Sequence, residues 1–213
     1  MYKRQRIGDK KACSFGDISA TSFFPAKPLG CYGDGGAVFT DNDEWADIMR
    51  SLCVHGKGSN KYDNIRIGLN SRLDTIQAAV LKIKLQAFRD YELDAVNEAA
   101  AYYSEKLKDL VKTPEVKDGF YSSWAQYSIL LKDTAQRDGL RSYLKENGIP
   151  SMIYYPKMMH EQDAFNGMDC QVTELPNARK LCATVLSLPM HPYLTKNDMD
   201  TVCSAVREYL VKE

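Results

Sequence analysis

The feature that most constrains the fold is a run of prolines and glycines that separates two strand patterns near the start of the chain. Residues 16–24 alternate small, polar and apolar side chains, and residues 37–40 do so again, as strands do. Two prolines and four glycines interrupt regular structure between them: Pro25, Pro28, Gly30, Gly33, Gly35 and Gly36. Because these residues end strands and helices alike, the stretch predicts a strand, a stiff loop, a tight turn and a second strand.

Helical patterns follow this strand pair. Residues 43–52 predict a helix that Asp41 or Asn42 caps, and residues 73–110 form the longest helical tract, with a bend near Asp90 that divides it into two helices. Beyond Pro114, strand and helix patterns alternate. They predict strands at 127–131 and 151–155, a short apolar run at 185–188, and helices at 134–147, 177–184 and 196–211.

This order of elements predicts an α/β fold. We place a boundary between residues 86 and 92, which divides the chain into part of a large α/β domain at 6–90 and a small α+β domain at 91–213. Residues 1–5 are polar and patternless, and we interpret them as a non-native leader.

The composition restricts the function. The chain has 28 basic and 28 acidic residues, so charge favours neither nucleic acid nor an acidic membrane surface as a partner. Apolar runs are too short for a transmembrane helix. Six cysteines and three histidines are scattered without metal-ligand spacing, so we expect no metal site and no disulfide framework, as in a reducing cytoplasm.

Lys27 is the candidate reactive residue. It lies between Pro25 and Pro28, and Pro28 disfavours helical geometry at Lys27, so an extended, stiff loop would present its amine. A neutral lysine amine forms an imine with an aldehyde. Ser22 could direct its hydroxyl at a phosphate. Taken alone, a lysine between prolines is more often a solvated loop residue, and a Gly-Asp-Gly-Gly run is more often only a turn.

The amino-acid sequence of this stretch supports the interpretation of Lys27 as a reactive residue. The run GDISATSFFPAKPLGCYGDGGAVFT, residues 16–40, resembles the lysine motif of the DegT/DnrJ/StrS family of nucleotide-sugar aminotransferases, which use pyridoxal 5′-phosphate (PLP). The resemblance continues through MRSLCVHGKGSNKYDNIRIGLNSRLDTIQAAVL, residues 49–81, and more loosely through YYPKMMH and LSLPMHPYLT. It implies the fold-type I, aspartate-aminotransferase-like architecture, with residues 6–90 as part of the PLP-binding large domain.

The resemblance also implies roles for individual residues. Lys27 matches the catalytic lysine that binds PLP covalently and moves a proton between substrate and cofactor carbons. Ser22 matches a hydroxyl that binds the PLP phosphate, and Asn70 matches an asparagine that reaches this phosphate from the neighbouring subunit of a homodimer. Arg72, on the same segment, and the pair Tyr154 and Tyr155 match positions on the substrate side.

Within the family, the spelling around Lys27 most resembles enzymes that aminate C3 of a UDP-linked 3-keto-N-acetylglucosaminuronate for surface polysaccharides, with glutamate as the usual amino donor. The family's acidic, aromatic and phosphate-binding PLP residues precede the segment that begins here near Arg6. We therefore expect an N-terminally truncated and inactive form of such an enzyme. The alternative is a non-enzymatic module that binds sugar nucleotides or regulates a partner.

Overall fold

The computed structural model describes residues 5–168 and 173–212 and divides the chain into two compact units. The first contains the chain up to Leu93 together with Val116–Ser123, and the second contains Asp94–Glu115 and the chain from Trp124 onward. Of the predicted leader at 1–5, all but Gln5 lies outside the described residues. None of the helices in the described ranges is both long enough and apolar enough to cross a membrane.

The strands of the first unit form two small antiparallel sheets. Strands β1 (Arg6–Ile7) and β2 (Lys10–Lys11) pair with each other, and β1 also pairs with β5 (Phe120–Tyr121), which returns from much later in the chain. Strands β3 (Ser19–Ser22) and β4 (Gly36–Phe39) form the second sheet, with Ser22 opposite Gly36. The predicted strand pair around the proline and glycine run is therefore present.

Two helices of the first unit follow directly, and a third continues from them into the second unit. Helix α1 (Asp43–Leu52) begins where Asn42 Oδ1 accepts a hydrogen bond from Trp45 N at 3.0 Å, one of the two caps expected from the sequence. Helix α2 (Thr75–Ala87) leads through a π-helical turn at Phe88–Glu92 into α3 (Leu93–Leu107). The interruption expected near Asp90 is this π-helical turn.

The second unit packs helices on one short sheet. Strand β6 (Tyr127–Leu130) pairs antiparallel with β7 (Val185–Leu188), and helices α4 (Thr134–Glu146), α5 (Pro176–Thr184) and α6 (Lys196–Lys212) belong to the same unit. Short 3₁₀ helices occupy Met159–Glu161 and Asp163–Phe165. Instead of a strand at 151–155, only Met152 pairs, with Ser187.

A single apolar cluster forms the core of the second unit. Helices α3, α4 and α6 cover the β6–β7 sheet, as the buried side chains of these elements show. Its members are Ala100, Tyr103, Leu107, Tyr127, Ile129, Leu131, Leu140, Leu144, Ile149, Leu186, Leu188, Val202, Cys203, Ala205 and Val206.

Candidate active site

The loop between β3 and β4 is closed by backbone hydrogen bonds at its base. Phe23 N donates to Gly35 O at 2.8 Å, and Phe23 O accepts from Cys31 N at 2.8 Å. Phe23 and Cys31 are both buried. The residues between them therefore form a closed arc, and Lys27 lies within this arc.

The thiol of Cys31 fills the space inside the base of the loop. Cys31 has no exposed surface, and its Sγ lies 3.1 Å from both Phe23 O and Gly33 O. A Cβ atom at Gly35 would come within 2.9 Å of Cys31 Sγ and of Leu73 Cδ1, so a larger residue there would have to displace these side chains. The turn that the glycine-rich sequence predicted is thus also a tightly packed contact.

Lys27 and Ser22 are joined through Phe24. Lys27 N donates to Phe24 O at 2.8 Å, which closes a turn, and Phe24 N donates to Ser22 Oγ at 3.1 Å. Because Ser22 Oγ accepts this bond, its own hydrogen stays available to donate to a ligand. Lys27 is half-buried, and its ammonium makes no hydrogen bond or ion pair with another residue in the described part of the chain.

Helix α2 contacts the same loop from the side. Tyr32 N donates to Gln77 Oε1 at 2.8 Å, and Lys84 Nζ lies 5.6 Å from the centroid of the Tyr32 ring. Gln77 and Lys84 are seven residues apart and share one face of the helix. The sequence analysis did not identify Gln77 or Cys31 as part of the site. The one signal for Gln77 was a polar residue beside the apolar positions of α2.

Asn70 and Arg72 lie on the segment that precedes α2. Residues 53–71 fold into a hairpin-like segment in which Val54 pairs with Asn70 and Ser71 N donates to Cys53 O at 3.0 Å. The side chains of Asn70 and Arg72 are exposed, and neither makes a hydrogen bond or ion pair with another described residue. The structure therefore brings this segment to α2 in the unit of Lys27, with both candidate side chains free to bind.

Tyr154 and Tyr155 belong to the second unit. They follow Met152, which pairs with β7, and both rings are exposed with an edge-to-face contact of 5.5 Å between their centroids. The proposed substrate pair thus lies at the surface of a different compact unit from Lys27.

The side chains around Lys27 fit PLP. An aldehyde requires an amine that is not held by a carboxylate, and Lys27 supplies one on a braced loop. A phosphate requires hydrogen-bond donors, and the Ser22 hydroxyl has a hydrogen to give. Lys27 and Ser22 therefore supply two of the groups that a phosphate-bearing aldehyde requires.

Comparison with known proteins agrees with these observations. A model of the DegT/DnrJ/EryC1/StrS aminotransferase family matches residues 4–207. This match confirms the resemblance carried by the residues around Lys27.

Two curated relatives illustrate the range of the family. A UDP-2-acetamido-2-deoxy-3-oxo-D-glucuronate aminotransferase of Pseudomonas aeruginosa is 39% identical over 198 residues, which cover 92% of this chain and 53% of the relative. A protein of Geobacillus stearothermophilus named pleiotropic regulatory protein is 39% identical over 197 residues, 91% of this chain and 52% of the relative. The chain spans about half the length of these relatives.

A solved structure confirms the predicted fold class. The crystal structure of a DegT DnrJ EryC1 StrS aminotransferase from Brucella abortus superimposes with a TM-score of 0.90 and 50% sequence identity. The match covers 97% of this chain and 54% of that chain.

Proposed function

Because the chain belongs to the DegT/DnrJ/EryC1/StrS aminotransferase family, we propose that it serves a PLP-dependent transfer of an amino group to a keto-sugar nucleotide. The observation that carries this proposal is the half-buried Lys27, whose amine has no partner among the described residues, on a loop closed by Phe23 and Cys31. The chemistry of the reaction needs such an amine, on a backbone that is held in place.

Each residue at the end of β3 has a distinct task. PLP, when bound, supplies an electron sink for the carbon next to the transferred nitrogen. Lys27 Nζ would hold the cofactor and then, once released, carry a proton to and from the reacting carbon. Ser22 Oγ would donate to the phosphate, since its lone pair already accepts from Phe24 N.

Asn70 and Arg72 are proposed to act across a homodimer. Their side chains are exposed, and three apolar residues at alternate positions of the same segment, Ile65, Ile67 and Leu69, are exposed as well, with Ile67 at 99%. Such a stripe is suited to burial against a second copy. Asn70 would then reach the partner's phosphate site, and the planar Arg72 guanidinium would bind an anionic substrate group.

The substrate class is proposed from the Pseudomonas relative, whose name specifies a UDP-linked 3-oxo sugar acid. The amino donor would be glutamate. Tyr154 and Tyr155 would contact the sugar from the second unit. We place this chemistry in the cytoplasm, in keeping with the five free cysteines of the described residues.

A regulatory role is the second candidate, because one relative of equal identity is named a pleiotropic regulatory protein. Such a protein could bind a sugar nucleotide or a partner without turnover. Dependence on Lys27 separates the two functions, since only the enzyme needs a reactive amine.

Absorption spectroscopy with added PLP tests the proposal. The wild-type chain should develop the visible band of a lysine–PLP linkage. Lys27→Ala should not develop it. Lys82→Ala, which removes an exposed lysine of α2, should match the wild type. Identical spectra for wild type and Lys27→Ala would favour the regulatory role.

A further inference from the structure

One face of α2 is packed against the loop that carries Lys27. Gln77 Oε1 accepts from Tyr32 N at 2.8 Å, and a Cβ at Gly33 would come within 3.0 Å of Gln77 Nε2. Four residues earlier, just before the helix begins, Leu73 Cδ1 would lie 2.9 Å from a Cβ at Gly35. The Gln77 amide therefore lies over the backbone at Tyr32 and Gly33, close to the base of the loop.

The contact of Gln77 with Tyr32 restrains a motion of the loop that the loop's own hydrogen bonds do not restrain. The bonds of Phe23 to Cys31 and Gly35 close the arc upon itself, but they are all internal to the loop and its strands. Gln77 connects Tyr32, the residue directly after the arc, to a helix 45 residues further along the chain. A loop closed only at its base can still swing as a body, and a contact with a separate rigid element removes that motion.

Gln77 also lies just after the segment with Asn70 and Arg72. Asp74 is the N-terminal cap residue of α2, and Gln77 is in the first turn of the helix. The helix that contacts the loop of Lys27 through Gln77 thus begins shortly after the segment with Asn70 and Arg72.

We propose that Gln77 is a positioning residue, whose amide oxygen holds Tyr32 and so fixes the direction in which the loop presents Lys27. The inference rests on the proposed role of Lys27 as the PLP lysine. Gln77 itself acts through the backbone of the loop, at Tyr32, and the proposal gives it no contact with the cofactor.

Three variants of α2 test the inference. Gln77→Leu keeps the size of the side chain and removes the acceptor, while Gln77→Glu retains an oxygen that can accept from Tyr32 N. Gln86→Leu makes the same chemical change at an exposed position of the same helix and is the matched control.

The first measurement is amide hydrogen exchange of Tyr32 and Lys27 by NMR, which requires no cofactor. In Gln77→Leu we expect both amides to exchange about tenfold faster than in the wild type, the change that corresponds to loss of one hydrogen bond. Amides of the second-unit core serve as the internal reference and should not change. Gln77→Glu and Gln86→Leu should match the wild type.

The second measurement is the PLP concentration at which half of Lys27 is trapped by borohydride reduction, read by peptide mass spectrometry. It should rise about tenfold in Gln77→Leu and stay at the wild-type value in Gln77→Glu and Gln86→Leu. Equal trapping in wild type and Gln77→Leu, or unchanged exchange at Tyr32 and Lys27, would overturn the inference. If the wild type shows no trapping at Lys27 at all, the proposed function fails, and the exchange measurement still decides whether Gln77 holds the loop.

Discussion

At the scale of single residues, the core of the second unit contains ionisable groups that burial keeps protonated. Burial, followed by the nearby Asp200 carboxylate, raises the pKa of the Cys203 thiol to about 11. Burial also raises the pKa of the Tyr103 and Tyr127 hydroxyls. Tyr103 OH has no hydrogen-bond partner among the described residues, so nothing there offsets the cost of a charge.

These shifts predict a loss of stability at alkaline pH. The unfolded chain releases the Cys203 proton near the ordinary thiol pKa of 9.0, while the folded chain retains it until about 11. Between these values the folded state binds more protons, so the free energy of unfolding falls as pH rises, by at most about 1.4 kcal/mol per pH unit for this group. Below pH 9 the contribution is fully present.

Urea unfolding at a series of pH values, followed by the fluorescence of Trp124 in a Trp45→Phe background, measures this effect. In Cys203→Ala the free energy of unfolding should fall less steeply above pH 9 than in the background protein. Cys182→Ala, a change at a half-buried thiol of the same unit, should decline as steeply as the background. A slope unaltered by Cys203→Ala would mean that this thiol does not titrate with folding.

At the scale of elements, the hairpin-like segment 53–71 depends on a close approach of two backbones. Gly56 has φ +72°, and a Cβ there would lie 1.8 Å from Arg66 O. Gly56 O in turn accepts from Ile65 N at 2.9 Å. The conformation that exposes Asn70 therefore requires glycine at position 56 for two independent reasons, backbone conformation and space.

Gly56→Ala should disrupt this segment and lower the stability of the first unit by more than about 2 kcal/mol, because strain and overlap occur together. Hydrogen exchange at Leu69 and Ser71, whose amides bond to the end of α1 and to Cys53, measures the local effect. Gly16→Ala is the control, since the nearest atom to its Cβ would be at an ordinary 3.5 Å. Unchanged exchange in Gly56→Ala would contradict the structural argument.

The elements also show what the sequence can and cannot predict. Helices α1, α4 and α6 begin at the predicted residues, and their ends agree within one residue, because apolar periodicity and capping residues are local signals. The sheet of β1, β2 and β5 was not predicted, since its two-residue strands are too short for a periodic pattern and β1 also pairs with β5, which comes much later in the chain. The predicted strand at 151–155 is reduced to Met152, because the flanking Pro150 and Pro156 have no amide hydrogen to donate.

The candidate site divides in the same way. The loop of Lys27 could be predicted from its prolines and glycines, because these are local signals. The hydrogen bonds that close the loop join residues of this same short stretch. The contact of Gln77 with Tyr32 joins residues 45 apart and could not be read from periodicity. The roles of Lys27, Ser22, Asn70, Arg72, Tyr154 and Tyr155 stay predictions.

At the scale of the whole molecule, the two units differ in how well they bury apolar surface. The second unit has the continuous core described above, whereas the first exposes large apolar side chains on α2 and the preceding segment. Ile67, Ile76 and Ile83 are 99%, 77% and 74% exposed. Burial of apolar surface is the main source of stability, so the first unit should be the weaker of the two.

The protein is therefore expected to unfold in two steps, with the first unit unfolding at lower urea concentration. Each unit contains one of the two tryptophans, Trp45 in the first and Trp124 in the second. Wild-type fluorescence should show both transitions, and Trp45→Phe should retain only the later one. A single transition at the same urea concentration in both proteins would show that the units unfold together.

The expectation that the 213-residue chain is inactive by itself is also a prediction at this scale. An exposed apolar face in the unit of Lys27 should favour self-association over an ordered site. Conversion of a UDP-linked keto sugar with glutamate by the purified chain would contradict it.

The central claim, that Lys27 is the residue that binds PLP, is tested most directly by peptide mapping. The chain is incubated with PLP, reduced with borohydride, digested and analysed by mass spectrometry. We predict that the pyridoxyl group is found on Lys27 well above its level on exposed lysines such as Lys82, because Lys27 lies on a braced loop whose Phe24 also bonds the Ser22 hydroxyl. Modification of Lys27 at or below the level of Lys82 would contradict the account.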